Sequence, residues 1–173
     1  MDTSDLGLLI LRLGVGSIFA AHGAQKAFGW WSGPAWGGWQ AVMVRLGFRP
    51  AAAFAGVSLV AELGGGVLLA VGFLTPLATL LLIGQLVVII ARAHWARGFW
   101  NRDNGFEFPL SLLAGAIALA LIGPGALSVD SLLGIGAGEP LRLGLVALGA
   151  AGGLATASLP ELARRDDEAA AGR

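Results

Sequence analysis

Residues 6–29, LGLLILRLGVGSIFAAHGAQKAFG, decide the fold. An apolar run of this length meets the ~20 residues that a helix needs to cross a bilayer. It carries three basic groups, Arg12, His22 and Lys26. Steps of ten and four residues bring them, with Phe19 between, onto one stripe of an α-helix. A charge at membrane depth costs roughly 2.5–3.5 kcal/mol on insertion scales and turns toward a partner or a polar cavity. Lys26 is the only lysine in the chain, so the stripe is the first pointer to function.

The rest of the composition agrees with a membrane setting. Of 173 residues, 56% are hydrophobic and 13% charged, and the mean hydropathy is +0.77. That is too apolar for an ordinary soluble domain, and the length suggests one domain. The formal net charge is zero, so no electrostatic footprint points to nucleic acid. There is no cysteine, which excludes disulfides, thiolate metal sites, Cys-ligated clusters and dithiol redox chemistry. Electron transfer would need a bound cofactor or a partner subunit. The acidic start, MDTSD, lacks the basic n-region of a secretory signal, so the first helix is expected to be retained.

Five apolar segments follow one another: 6–28 after Ser4 or Asp5 as N-cap, 51–73 after Pro50, 76–93, the short 108–122, and a weaker 141–160. All read as helix, because an open strand leaves its backbone unsatisfied in hydrocarbon. The expected fold is an all-α, polytopic transmembrane bundle: four core helices within 1–140, a fifth crossing at 141–163, and a short disordered tail at 164–173. Gly149 and Gly153, one turn apart, suit close helix packing or a homo-oligomer contact through small-residue faces.

Helices two and three are joined by the tight turn GFLTPLA, and are therefore antiparallel neighbours. The long first and third connections hold all six tryptophans: Trp30, Trp31, Trp36 and Trp39, then Trp95 and Trp100. This is the pattern of an aromatic belt at one membrane surface. WQAVMVRLGF, residues 39–48, fits a short amphipathic helix in the interface. Arg45, Arg49, Arg97 and Arg102 lie in the same two connections. The positive-inside rule then places both loops and the C-terminus in the cytoplasm and the N-terminus outside, in a bacterial inner membrane.

Glu62, in VAELGGGVLL, is the other anomalous charge. At mid-segment it must be neutral or paired, and Arg12, His22 and Lys26 are its available partners. Gly64, Gly65 and Gly66 would admit a neighbouring helix or a flat ligand close to the backbone. Either an interhelical packing bridge or a proton-handling, ligand-binding carboxylate fits. Glu62 and His22 are the candidates for proton transfer.

Three blocks together carry a family resemblance: RLGVGSIFAAHGAQKAFG (12–29), ELGGGVLLAVGFLTPLA (62–78) and FWNRDNGFEFPLSLLAGAIALALIGPGALSVD (99–130). In order and spacing, over about residues 6–133, the chain resembles the DoxX family of small bacterial membrane proteins. The resemblance implies a four-helix membrane bundle and a quinone-related or redox-partner role. The family includes relatives of the small subunit of thiosulfate:quinone oxidoreductase, members linked to quinone or catechol stress, and a member in a membrane oxidoreductase complex. It puts Arg12, His22, Lys26, Glu62, Asn101, Glu107 and Pro109 at motif positions. The fifth segment departs from the four-helix pattern.

The residues themselves place a site at the tryptophan-rich end, where His22, Lys26, Arg92, His94, Asn101, Asn104 and Glu107 gather. A quinone fits such a lipid-facing pocket, its ring stacking on Trp100 or Phe106 and its oxygens accepting bonds from His22 or Lys26. The expected cofactor-binding set is Arg12, His22, Lys26, Glu62, Trp100, Asn101 and Glu107. Haem held by His22 and His94, the only histidines, is the weaker reading, since a lone pair of histidines says little. No metal site is expected, because His22, Glu62 and Glu107 lack any ligand spacing. Two other function classes stay open. One is a transporter or permeation protein for a small solute, proton or lipid. The other is a structural membrane anchor for a redox partner.

Overall fold

In the computed structural model, which describes residues 2–171, every regular element among the described residues is helical. Helix α1 spans Thr3–Phe28 and α2 spans Ala35–Arg45. They are followed by α3 over Ala51–Val71, α4 over Thr75–Arg97 and α5 over Glu107–Ile122. A single turn, α6 (Val129–Leu132), and the long α7 (Glu139–Ala171) complete the chain. Four helices are long and apolar enough to cross a membrane: α1, α3, α4 and the Glu139–Glu161 part of α7. The apolar α5 is shorter, as its segment is in sequence.

Helix starts follow local chemistry. The cap of α1 is Asp2 rather than Ser4 or Asp5. Its carboxylate accepts from the Asp5 N–H at 3.0 Å while Asp5 accepts from the Asp2 N–H at 3.2 Å, a reciprocal capping box. Helix α4 has no cap of its own. The carboxylate of Asp130, from the α5–α7 connection, accepts from Leu74 N–H (2.7 Å) and Thr75 N–H (2.8 Å) and satisfies the orphan donors from outside. Arg142 does the converse for α5, donating to the carbonyls of Leu121 (3.0 Å) and Ile122 (2.7 Å).

The core is a seam of Val15, Phe19, Leu69, Leu82, Leu86 and Leu119 shared by α1, α3, α4 and α5. Between α1 and α3 the backbones touch. A Cβ on Gly66 would lie 2.5 Å from Ala20 N, and one on Gly16 2.6 Å from Ala70 N. Helix α7 packs on α4 in the same way through Gly149 and Gly153. A Cβ on Gly153 would meet the Gly84 carbonyl at 2.6 Å. The fifth apolar segment is therefore part of the bundle rather than an appendage. In lipid, dispersion contacts replace the hydrophobic effect between helices, and small residues maximise them.

Two expectations change. The interfacial helix spans Ala35–Arg45 rather than 39–48, with Pro34 at its N-cap, where the missing N–H costs no helical hydrogen bond. The end of the chain, expected to be disordered from 164, is helical to Ala171, as its Ala-, Glu- and Arg-rich composition favours. Residues 172–173 of that stretch lie outside the described residues.

The packing yields a stability test. Gly66→Ala should destabilise the purified protein by about 1–3 kcal/mol through forced separation of α1 and α3. Gly14→Ala, at a position with nothing within 4 Å, should be neutral or slightly stabilising. Thermal unfolding followed by circular dichroism in mild detergent reads both.

Candidate functional site

Lys26 lies in the last turn of α1 and Glu62 in the middle of α3, and the Gly23 contact with Leu63 brings the two backbones together there. The Lys26 ammonium touches both oxygens of the Glu62 carboxylate. Glu62 is 1% exposed and its partner's side chain 12%. The pairing expected for Glu62 is thus present, with Lys26 rather than Arg12 or His22.

Further donors converge on the same carboxylate. Gln85 of α4 donates to Glu62 at 2.7 Å and to Ser58 Oγ at 2.8 Å, and Ser58 Oγ lies 3.3 Å from Glu62. On the other side, the Lys26 nitrogen stands 4.0 Å from the ring centroid of Trp39 in α2. A cation over an indole face, out of water, gains on the order of 2 kcal/mol. Trp39 thereby leaves the aromatic belt, whereas Trp30, Trp31, Trp36, Trp95 and Trp100 remain exposed.

Backbone geometry sets the position of these groups. Val60–Gly64, which contains Glu62, is a π-helical turn, and so is Ile90–His94 at the end of α4. Such turns shift the side-chain register and recur at functional sites. Both flank one cavity of about 740 Å³, within the range of small-molecule pockets. Its polar end is Lys26, Glu62, Ser58 and Gln85; its walls are mainly apolar, among them Phe19, Met43 and Phe54. His22, Arg92 and His94 also line it. His22 is largely exposed, with its ring 6.3 Å from that of Phe108. His94 pairs through Nδ1 with the Asn104 carbonyl at 2.7 Å. Arg92 holds the rim together, donating to Glu161 of α7 at 2.8 Å and to the Leu46 carbonyl at 3.0 Å.

The remaining expected site residues sit elsewhere. Arg12 shares the stripe but not the depth, since fourteen residues at 1.5 Å each put it ~21 Å along the helix from Lys26. There it is fully buried, donates to the Leu127 carbonyl and lies against Gly72. Together with the Asp5 bond to Ala126 N–H (2.9 Å), it ties the α5–α7 connection to α1 at the far end. Trp100, Asn101 and Glu107 do not line the cavity, and neither does Phe106. They build their own loop: Glu107 accepts from Asn101 N–H at 2.9 Å, and Phe106 stacks on Trp95 with centroids 5.2 Å apart. Pro109, by contrast, does line the cavity.

Gln85 and Ser58 went unread in the sequence although a signal existed. Gln85 is the one amide within an otherwise apolar segment, and Ser58 stands one helical turn before Glu62.

These features define a multi-pass, all-helical membrane protein with a buried ion pair at the base of a side cavity. The chain belongs to the DoxX family, whose model matches residues 7–95. It is 32% identical over 134 residues to the uncharacterized membrane protein Rv3486 of Mycobacterium tuberculosis (strain ATCC 25618 / H37Rv), covering 71% of this chain and 78% of that protein. No solved structure matches the chain.

The ion pair makes a specific prediction. Lys26→Met leaves a buried carboxylate without its cation and should cost about 3–5 kcal/mol. The double variant Lys26→Met with Glu62→Gln should recover much of that loss. Chemical denaturation of the wild type, Lys26→Met, Glu62→Gln and the double variant in one detergent gives the coupling directly.

Proposed function

We propose that this protein is a quinone-associated subunit or accessory of a membrane redox system, and that the quinone occupies the cavity between α1, α2, α3 and α4. The single observation that carries the reading is the placement of a fixed polar set, Lys26, Gln85 and Ser58 around Glu62, at one end of a mainly apolar cavity of about 740 Å³. An amphiphile with a flat oxygen-bearing head and an apolar tail matches both parts. The quinone, when bound, would supply two-electron, two-proton redox chemistry.

The roles of the protein's own groups follow from their chemistry. Lys26, whose ammonium keeps a third proton beyond its two contacts with Glu62, can hold a carbonyl oxygen, while Gln85 commits both amide protons to Glu62 and Ser58 and fixes the carboxylate. Glu62 is the one carboxylate lining the cavity among the described residues, and can accept or return a proton if its contact with Lys26 loosens. His22 lines the cavity and can donate or accept a hydrogen bond there. The resemblance to thiosulfate:quinone oxidoreductase small-subunit relatives favours the same class of ligand. A permeation path is less favoured, because the Arg12, Asp5 and Asp130 contacts tie the connections together across the opposite end of the bundle. We place the N-terminus outside and the tryptophan-rich loops in the cytoplasm of an inner membrane, on the distribution of Arg45, Arg49, Arg97 and Arg102.

Titrating the purified protein with a short-chain quinone, followed by quenching of tryptophan fluorescence, tests the reading. Lys26→Ala and His22→Ala should weaken binding by about ten-fold or more, the equivalent of ~1.4 kcal/mol. Arg49→Ala, at an exposed position of the first loop, should leave it unchanged. Unaltered affinity in both cavity variants, with helicity intact, would remove the quinone from this site. For the orientation, a cytoplasmic reporter fused after Arg173 should be active and one fused before Asp2 inactive.

A further inference from the structure

The same cavity holds a nucleophile that quinone binding does not require. Lys26 is the only side-chain amine in the protein, and it faces a largely apolar space. Three features surround its nitrogen. The Glu62 carboxylate touches it through both oxygens. The indole of Trp39 covers it with the ring centroid at 4.0 Å. Gln85 at 2.7 Å and Ser58 at 3.3 Å hold Glu62 so that it cannot swing away. A bridge serving only to join two helices is met well by arginine, whose planar fork matches a carboxylate and never loses its proton. Lysine is the cation that can become a nucleophile, and apolar pockets are where such lysines act.

We propose that Lys26 captures lipophilic aldehydes as a reversible protonated imine, with Glu62 as proton shuttle and counter-ion. Glu62 first takes one proton from the Lys26 ammonium. The neutral amine nitrogen forms a bond to the carbonyl carbon, giving a carbinolamine after proton transfer to the oxygen. Glu62 returns its proton to the hydroxyl, the C–O bond breaks and water leaves. The product is a positively charged C=N linkage opposite a restored carboxylate. Charge is conserved, one water is released for each aldehyde bound, and no electron changes hands. The carboxylate and the indole face stabilise the iminium as they do the ammonium. Burial of the pair, with Glu62 1% exposed and Lys26 12%, slows the reverse hydrolysis. The walls, with Phe19, Met43, Phe54 and Leu86, select a long apolar chain over a small polar one. The inference uses the cavity and the ion pair alone and stands or falls separately from the quinone reading.

The experiment treats the full-length protein in mild detergent with dodecanal and cyanoborohydride, which fixes an imine as a stable secondary amine. Intact mass and peptide mapping then locate the adduct, with the chain's α-amine as internal reference. We expect one dodecyl group at Lys26, formed about ten-fold faster than at the α-amine, and no adduct at position 26 in Lys26→Arg. Glu62→Gln should slow labelling of Lys26 by about ten-fold or more while the α-amine is unaffected, as loss of a general acid–base group does. Acetaldehyde should label Lys26 no faster than the α-amine. An α-amine adduct without one at Lys26 would overturn the proposal and leave the ion pair as a packing element. So would labelling of Lys26 that is equal for dodecanal and acetaldehyde in the wild-type protein, a comparison that needs no variant to fold.

Discussion

The contact between Lys26 and Glu62 is the constraint around which this bundle is arranged. An uncompensated charge at that depth costs several kcal/mol, so neither residue is tolerable without the other. Their meeting requires α1 and α3 to touch at backbone distance, which the glycines at 16, 23 and 66 permit. It also requires that Glu62 reach out of α3, which the π turn at Val60–Gly64 provides. Gln85 brings α4 to the same point, and Trp39 folds α2 over it. One buried pair thus engages four helices, and the cavity is the space left where they meet.

The two ends of the bundle are built on opposite principles. At the far end, the charged side chains bond backbone: Asp130 caps α4, Arg142 caps α5, and Asp5 and Arg12 hold the α5–α7 connection, with Nε and Nη1 of Arg12 left unpartnered. Such contacts fix geometry and leave little chemistry available. At the tryptophan-rich end, by contrast, charged and amide side chains meet one another and face open space. Polar networks of that sort are costly unless satisfied, and their retention beside a cavity favours a ligand-directed role over simple packing.

How far the sequence could be read depended on whether a feature was local. Glu62 was legible as a paired charge, with Arg12, His22 or Lys26 as partner, because charges in apolar helices have few alternatives; only the depth of each helix singles out Lys26. Gly149 and Gly153 announced a packed fifth helix because small residues serve no other purpose there. Arg12 misled, since a helical stripe reports direction but not depth, and one face of α1 serves two sites ~21 Å apart. Trp39 could not be separated from its five belt neighbours without the path of α2. Of the loop residues, Asn101 and Glu107 bond each other and Trp100 meets Phe99, away from the cavity, a result of local turn geometry that spacing does not encode. The two π turns left no sequence signal at all.

The central claim is that the cavity above Lys26 and Glu62 is occupied by an amphiphile in the membrane. Native mass spectrometry of the protein purified in mild detergent addresses this most directly. The account predicts one quinone retained per chain, and its loss from the variant Gln85→Leu, which removes the amide that holds Glu62 in place at the cavity but leaves the Lys26–Glu62 pair. Wild-type protein carrying no quinone, or quinone retained equally by Gln85→Leu, would contradict it.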